Sequence, residues 1–290
     1  MDPQIRLPGK LFQAEATTTS PADTPPTPAA SVILLRDCVA GPEVHLQMRA
    51  ATMAFARERP VFPGGRVDAA DYEPVAAWAG PFVDEWAAVF GADRDQARAV
   101  VCAAIRETFE ESGFLLASPA DGSPLTALDT VDWRADRELL SQHQLSLAQL
   151  LARRGLAIRS DWLKAWSIWI TPEFEPRRFH TWFLAARCPI EQRVLGVSSE
   201  SSASRWITAD RALRQADNDE LRLLPPQYCT FLQLHRHRDV NSVFGTDDPV
   251  PTIGPAMAVD TGGAYLSLPD DLVELGIRTG HHMYGIARKQ

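Results

Sequence analysis

The sequence predicts an α/β fold, a mixed sheet sandwiched by helices, on three observations. The run SVILLRD from Ser31 is β-branched and leucine-rich, and reads as a buried strand. WSIWITP from Trp166 and HTWFLAARC from His180 are strand candidates rich in aromatic and β-branched residues. Between them lies a long helical pattern from about Asp93 to Ser112. Strands and helices mixed in this order suggest a sheet covered by helices, most simply one domain with insertions.

Taken in order, residues 14–30 (AEATTTSPADTPPTPAA) carry no large apolar side chain, so 1–30 is expected to be a flexible leader before a domain over 31–290. After SVILLRD come a turn at Gly41-Pro42 and EVHLQMRA, whose Val44, Leu46 and Met48 alternate with polar residues to complete a hairpin. A loop ending in FPGG leads into a tryptophan-rich stretch from Tyr72 to Phe90 and then the helix. Helical insertions are expected at about 72–98 and 134–156, the second with a capping box from Ser146 and Gln149. RWIT is a short strand, followed by helices near 208–216 and 225–236, and a second hairpin about Gly262-Gly263. Trp78, Phe82, Trp86 and Phe90 recur at four-residue spacing as one helix face, with Pro81 starting or kinking the helix. That face is expected to pack on the sheet or on the second subunit of a homodimer, or else to line a ligand pocket.

The net charge of −8 argues against a broad nucleic-acid surface. No apolar run reaches the roughly 20 residues that span a bilayer, and neither terminus reads as a targeting signal, so a cytoplasmic, membrane-free protein is expected. Cys38, Cys102, Cys188 and Cys229 are widely separated and are expected to be buried free thiols. Only Lys10, Lys164 and Lys289 are lysines among 29 basic side chains, and arginine forks suit phosphate oxygens.

The chemistry centres on CAAIRETFEESGF. Glu107, Glu110 and Glu111 fall on one helix face within about one turn, opposite a packing stripe of Val101, Ala104, Ile105 and Thr108. Gly113 permits a left-handed helix stop. Crowded carboxylates repel unless cations compensate; Arg106 can serve Glu110 at i+4, and the remainder invites an oxygen-ligated Mg²⁺ or Mn²⁺. Upstream, Pro63-Gly64-Gly65 forms a tight turn without side chains to obstruct a phosphate, followed by Asp68 and Asp71.

These segments resemble the box of the Nudix hydrolases, Gx5Ex7REUxEExGU, where U is aliphatic. Arg106 to Phe114 matches its second half, and Gly65 plus six positions lands on Asp71, one methylene shorter than the usual Glu. Thr108 and Phe114 stand where aliphatic residues are usual, and Arg106 lies 41 positions beyond Gly65, which implies an insertion. Such a split box is similar to that of coenzyme A diphosphatases of the mammalian peroxisomal type. The similarity continues through WITPEFEPRRFHTWFLAA, RWITADRAL, LRLLPPQY and LPDD; LQMRA, with Arg49, resembles an upstream element of those enzymes. The resemblance implies a Nudix-type α/β/α sandwich and metal-dependent hydrolysis of a nucleotide-derived diphosphate, with coenzyme A or acyl-coenzyme A leading. NADH or ADP-ribose hydrolysis, or a non-catalytic nucleotide sensor, are the alternatives. It further implies that Glu107, Glu110 and Glu111 hold the metal, that Glu111 or Glu110 is the base, and that Arg106, reaching Asp71, orients the cluster.

Outside the box, Gly64, Gly65, Arg49 and Arg178 are substrate-binding candidates, Arg178 with Arg177 and His180 for a 3′-phosphate. Glu173, Glu175 and Glu200 are candidate distant bases or metal ligands, with solvated loop acids the plainer reading. His235 and His237 close a helix, where protonated imidazoles suit the dipole without any metal role. His281 and His282 are expected to be inert.

Overall fold

The computed structural model describes residues 25–49, 59–173, 175, 177–189, 191–192, 201–260 and 263–281. β1 (Thr27–Cys38) begins ahead of the expected start at Ser31, because Ala29 and Ala30 are already buried and paired on both sides. Residues 27–30, expected in the leader, thus belong to the sheet; residues 1–24 lie outside the described residues. Along β1, Val32 and Leu34 enter one core and Ile33 and Leu35 the other. Burial on both faces explains a run with no polar alternation.

β2 (Gly41–Arg49) pairs antiparallel with β1, Cys38 opposite Gly41. The turn is thus Val39-Ala40, and Gly41-Pro42 already belongs to the strand. Cys38 is exposed near this tip, contrary to expectation, Cys188 is half-buried, and Cys102 and Cys229 are buried. β1 and β2 separate beyond Leu35 and Val44, and β3 (Pro60–Val61) and β4 (Gly64–Arg66) attach there, β3 to β2 and β4 to β1. This split brings the glycine pair into the sheet.

A short 3-10 helix at Ala69–Tyr72 leads to β5 (Trp78–Ala79) and α1 (Val83–Phe90). Residues 73–82 are not helical, so the four-residue aromatic spacing is not one helix face. Gly80 has φ +93° and Pro81 bars helix on its N-terminal side. Trp78 instead donates its indole N–H to the Pro81 carbonyl at 2.7 Å, and Phe82 is 71% exposed. Trp86 and Phe90 do turn inward, Phe90 against Trp182.

α2 (Arg94–Ser112) starts at Asp93, whose carboxylate accepts from the Gln96 amide, and stops at left-handed Gly113. Its stripe of Val101, Ala104, Ile105 and Thr108 is fully buried. β6 (Ala117–Pro119), α3 (Val131–Ser141), α4 (Leu147–Arg154) and β7 (Leu156–Arg159) follow, with the Ser146–Gln149 capping box at α4. β5, β7 and β6 make a small separate sheet in that order.

β8 (Leu163–Ile170), β9 (Phe179–Arg187) and β10 (Ser201–Thr208) return to the main sheet, followed by α5 (Ala209–Asp217), α6 (Pro225–Leu234) and α7 (Val240–Phe244). β11 (Thr252–Ile253), the hairpin β12 (Ala256–Asp260)–β13 (Gly263–Ser267), and α8 (Asp270–Thr279) complete the chain. The main sheet runs β10-β2-β1-β9-β8-β11 and is mixed: β1–β9 and β8–β11 are parallel, the others antiparallel. α1 and α2 cover the face of Val32 and Leu34, while α5, α6 and α8 cover that of Ile33 and Leu35. Among the described residues no helix is long and apolar enough to cross a membrane.

Candidate metal centre

The last turns of α2 carry the acidic cluster on the side away from its packing stripe, with Arg106 in its midst. Arg106 donates Nε–H to Asp71 Oδ1 and Nη2–H to Asp71 Oδ2, both at 2.9 Å. Its Nη1 donates to Glu107 Oε1 at 2.9 Å and Glu110 Oε1 at 3.2 Å, and Nη2 also reaches the Arg66 carbonyl. Burial alone would lower the Arg106 pKa, but the Asp71 bond and the charges of Glu107, Asp71 and Glu110 hold it well above its ordinary value. Asp71 is in turn fixed by the Asp68 amide at 2.8 Å.

β4 supplies the opposite wall. Glu111 Oε2 accepts from the Gly64 amide at 3.0 Å. A Cβ on Gly65 would stand 2.3 Å from Glu107 Oε1, and one on Gly64 2.4 Å from the Ala30 carbonyl. The glycines therefore make room for β1 and for Glu107 itself, a closer constraint than the open phosphate turn expected.

Four acids (Asp68, Asp71, Glu107 and Glu110) surround Arg106, Glu111 lies on the same turn against the Gly64 amide, and Arg137 stands alongside. Burial pushes Glu107 up to about 7 against the pull of Arg106, and raises Glu110 for the same reason. Such an excess of hard, partly desolvated oxygens is the kind of charge that a divalent metal ion offsets. Glu107 and Glu110 each give Arg106 only Oε1 of their two oxygens, which leaves oxygens for an ion; among the described residues no three of these carboxylates bring ligand atoms within 4.8 Å of one another, so the side chains must turn toward each other to hold it.

Two neighbours had no signal in the sequence. Arg137 of α3 donates Nε–H to the Glu110 carbonyl at 2.8 Å; burial lowers its pKa while Glu110 and Glu111 pull it up. His143, left-handed at φ 55°, places Nδ1 3.0 Å from Asp68 Oδ2. Both come from the second insertion, and no spacing rule connects positions 137 or 143 with 110 or 68.

The other candidates are held by different partners or fall outside the described residues. Arg49 ends β2, and its side chain falls outside the described residues, as does Glu200. Arg178 donates Nε–H to the Thr171 carbonyl at 3.2 Å, within the β8–β9 connection. Among the described residues it makes no hydrogen bond or ion pair to the acidic turn, nor do Glu173 and Glu175, the latter raised by burial. Arg177 is exposed, and His180 stacks on Trp182 at 3.9 Å. His237 is lowered by burial and by Arg236, against the protonated state expected at a helix end. His235 meets Asp210 and His281, so His281 is engaged with its neighbours, and His282 lies outside the described residues. Trp78 and Phe82 line a shallow groove of about 270 Å³ with Arg94 and Arg98.

The family model described as the NUDT19 Nudix domain matches residues 90–234, half of the chain. The acyl-coenzyme A diphosphatase NUDT19 of Xenopus laevis is 26% identical over 236 residues, 69% of this chain and 62% of that protein. Its Gallus gallus counterpart is 28% identical over 245 residues, 69% and 63% respectively, so the chain spans under two thirds of these relatives. The crystal structure of a Nudix hydrolase from Alicyclobacillus acidocaldarius superposes with a TM-score of 0.64 at 26% identity, covering 79% of this chain and all of that one. The matched region includes the whole acidic turn of α2, and on that match the chain belongs to the NUDT19 Nudix domain family and has the Nudix fold.

Proposed function

We propose that this chain hydrolyses the diphosphate of coenzyme A or acyl-coenzyme A, releasing 3′,5′-ADP and the (acyl) phosphopantetheine, with Mg²⁺ or Mn²⁺ as cofactor. The observation that carries the reading is the acidic turn itself: three glutamates on one turn, with Arg106 held by Asp71 and Gly65 pressed against Glu107. The names of the frog and chicken relatives favour coenzyme A compounds over other diphosphates.

Glu107, Glu110 and Glu111 would hold the cation, which supplies charge neutralisation at the diphosphate and a lowered pKa for attacking water. Glu111 or Glu110 takes the proton of that water as it attacks phosphorus and the bridging P–O bond breaks. Arg106 keeps Glu107 and Glu110 in register, and Asp71 keeps Arg106 in place. Gly64 and Gly65 let β4 lie against the substrate side of the turn, and Arg49 and Arg178 are the proposed phosphate contacts.

The test offers coenzyme A, dephospho-coenzyme A, acyl-coenzyme A, NADH and ADP-ribose with Mg²⁺, and identifies products by mass. Coenzyme A compounds should be cleaved fastest, activity should vanish with EDTA, and Glu111→Gln should lower turnover at least about 10²-fold. A contribution of Arg178 to a 3′-phosphate would leave dephospho-coenzyme A the poorer substrate, and Arg178→Lys would narrow that gap. Faster cleavage of NADH or ADP-ribose would overturn the substrate, and tight nucleotide binding without turnover would leave a sensor.

A further inference from the structure

On the sheet face opposite α2, three side chains distant in sequence converge: Asp210 in the first turn of α5, His235 at the end of α6, and His281 just past α8. One ligand atom from each lies within 4.8 Å of the others. The two imidazoles stand edge to face, with ring centroids 5.5 Å apart. None of the three belongs to the acidic turn, and the inference is independent of the proposed hydrolysis.

A second observation concerns how His281 is held. Its Nδ1 lies 2.7 Å from Asp217 Oδ2, and Asp217 Oδ1 accepts from the hydroxyl of buried Tyr228 at 2.7 Å. A carboxylate that takes one ring N–H fixes the imidazole's orientation and tautomer, leaving Nε2 with its lone pair. This is the support that a metal-binding histidine characteristically receives from its surroundings.

We propose that Asp210, His235 and His281 form a zinc-type site that clips the end of α8 to α5 and α6. Two imidazoles and one carboxylate suit Zn²⁺, whereas the glutamate turn, all hard oxygen, suits Mg²⁺ or Mn²⁺. Tetrahedral zinc with bonds of about 2.0–2.1 Å draws its ligand atoms to roughly 3.4 Å from one another. Small rotations of side chains at the surface close that gap. Asp210 is also paired with Arg214 through Oδ2, and its second oxygen lets it serve both partners. His235 is exposed, so solvent can reach the site and supply a fourth ligand.

The experiment uses the full chain stripped by chelator and held in excess Mg²⁺ to occupy the glutamates, then titrated with Zn²⁺ and, separately, Co²⁺. One Zn²⁺ per chain should bind at micromolar concentration or below, Co²⁺ should give the visible absorption of a tetrahedral site, and saturating Zn²⁺ should raise Tm by about 5 °C. His235→Ala, a change at an exposed position, should keep the metal-free Tm and circular dichroism of the parent. It should weaken Zn²⁺ binding at least about 10-fold and abolish the Tm gain. His281→Ala should also weaken Zn²⁺ binding at least about 10-fold, with some loss of metal-free Tm because its bond to Asp217 goes with it, and Glu107→Gln should leave zinc binding intact. Equal zinc binding by the parent and His235→Ala, or none by the parent at micromolar zinc, would overturn the site and leave a hydrogen-bonded surface cluster.

Discussion

Asp71 and Arg106, separated by 35 positions, form a two-pronged ion pair with both side chains almost fully buried. The pair closes the gap that the first insertion opens, bringing the start of the motif onto its second half. Breaking a buried pair leaves an uncompensated charge and typically costs about 3–5 kcal/mol. Asp71→Asn keeps the shape and removes the charge. It should destabilise the chain by about 3 kcal/mol, read from urea unfolding, and should reduce activity by loosening Arg106. Unchanged stability would mean that Glu107 and Glu110 suffice to hold the guanidinium.

The extent to which this was legible follows from the range of the interactions. α2 was readable because its stripe, its Asp93 cap and its Gly113 stop are all local. β1 was readable because burial on both faces leaves an unbroken apolar run. The aromatic spacing from Trp78 to Phe90 misled because Gly80 and Pro81 break the helix that a period of four assumes. Arg137 and His143 reach the site from a separate insertion, and Asp210, His235 and His281 meet only after α5, α6 and α8 pack. No local pattern encodes such meetings.

The adjacent glycines should fail differently. Alanine at Gly64 would meet backbone, the Ala30 carbonyl at 2.4 Å and Ser31 Cα at 2.7 Å, so Gly64→Ala should lower Tm. Alanine at Gly65 would meet the Glu107 carboxylate at 2.3 Å, which can swing aside. Gly65→Ala should therefore stay folded but need at least about 10-fold more Mg²⁺ for half-maximal activity. Equal loss of Tm in both variants would argue that Gly65, too, serves only the sheet.

Glu107 links the metal to pH. Its carboxyl rises from 4.5 to about 7 in the folded, metal-free chain, mainly through burial. A folded pKa above the unfolded value gives stability that is full below pH about 4.5 and lost as pH rises through about 7. The metal-free chain should thus lose about 1–3 kcal/mol between those limits relative to Glu107→Gln, and saturating Mn²⁺ should offset the loss. Calorimetry near pH 6 in buffers of different ionisation enthalpy should show a proton released on Mn²⁺ binding. Glu107→Gln should release less. Identical proton release by both proteins would remove Glu107 from the linkage.

Arg137 offers a test in which metal and substrate respond with opposite signs. Its guanidinium is anchored on the Glu110 carbonyl and feels the charges of Glu110 and Glu111. A fixed cation there repels an incoming divalent ion but attracts a diphosphate. Arg137→Met keeps much of the apolar stem and deletes the charge. Mn²⁺ should then activate at lower concentration, because one competing cation has gone. Meanwhile kcat/KM at saturating Mn²⁺ should fall by about 10- to 100-fold, or about 1.4–2.7 kcal/mol of lost transition-state stabilisation. Arg137→Lys, which restores charge without the fork, should recover part of that loss. A merely structural arginine, tying α3 to α2, would weaken metal activation and turnover together, and that parallel loss would exclude direct electrostatic action on the substrate.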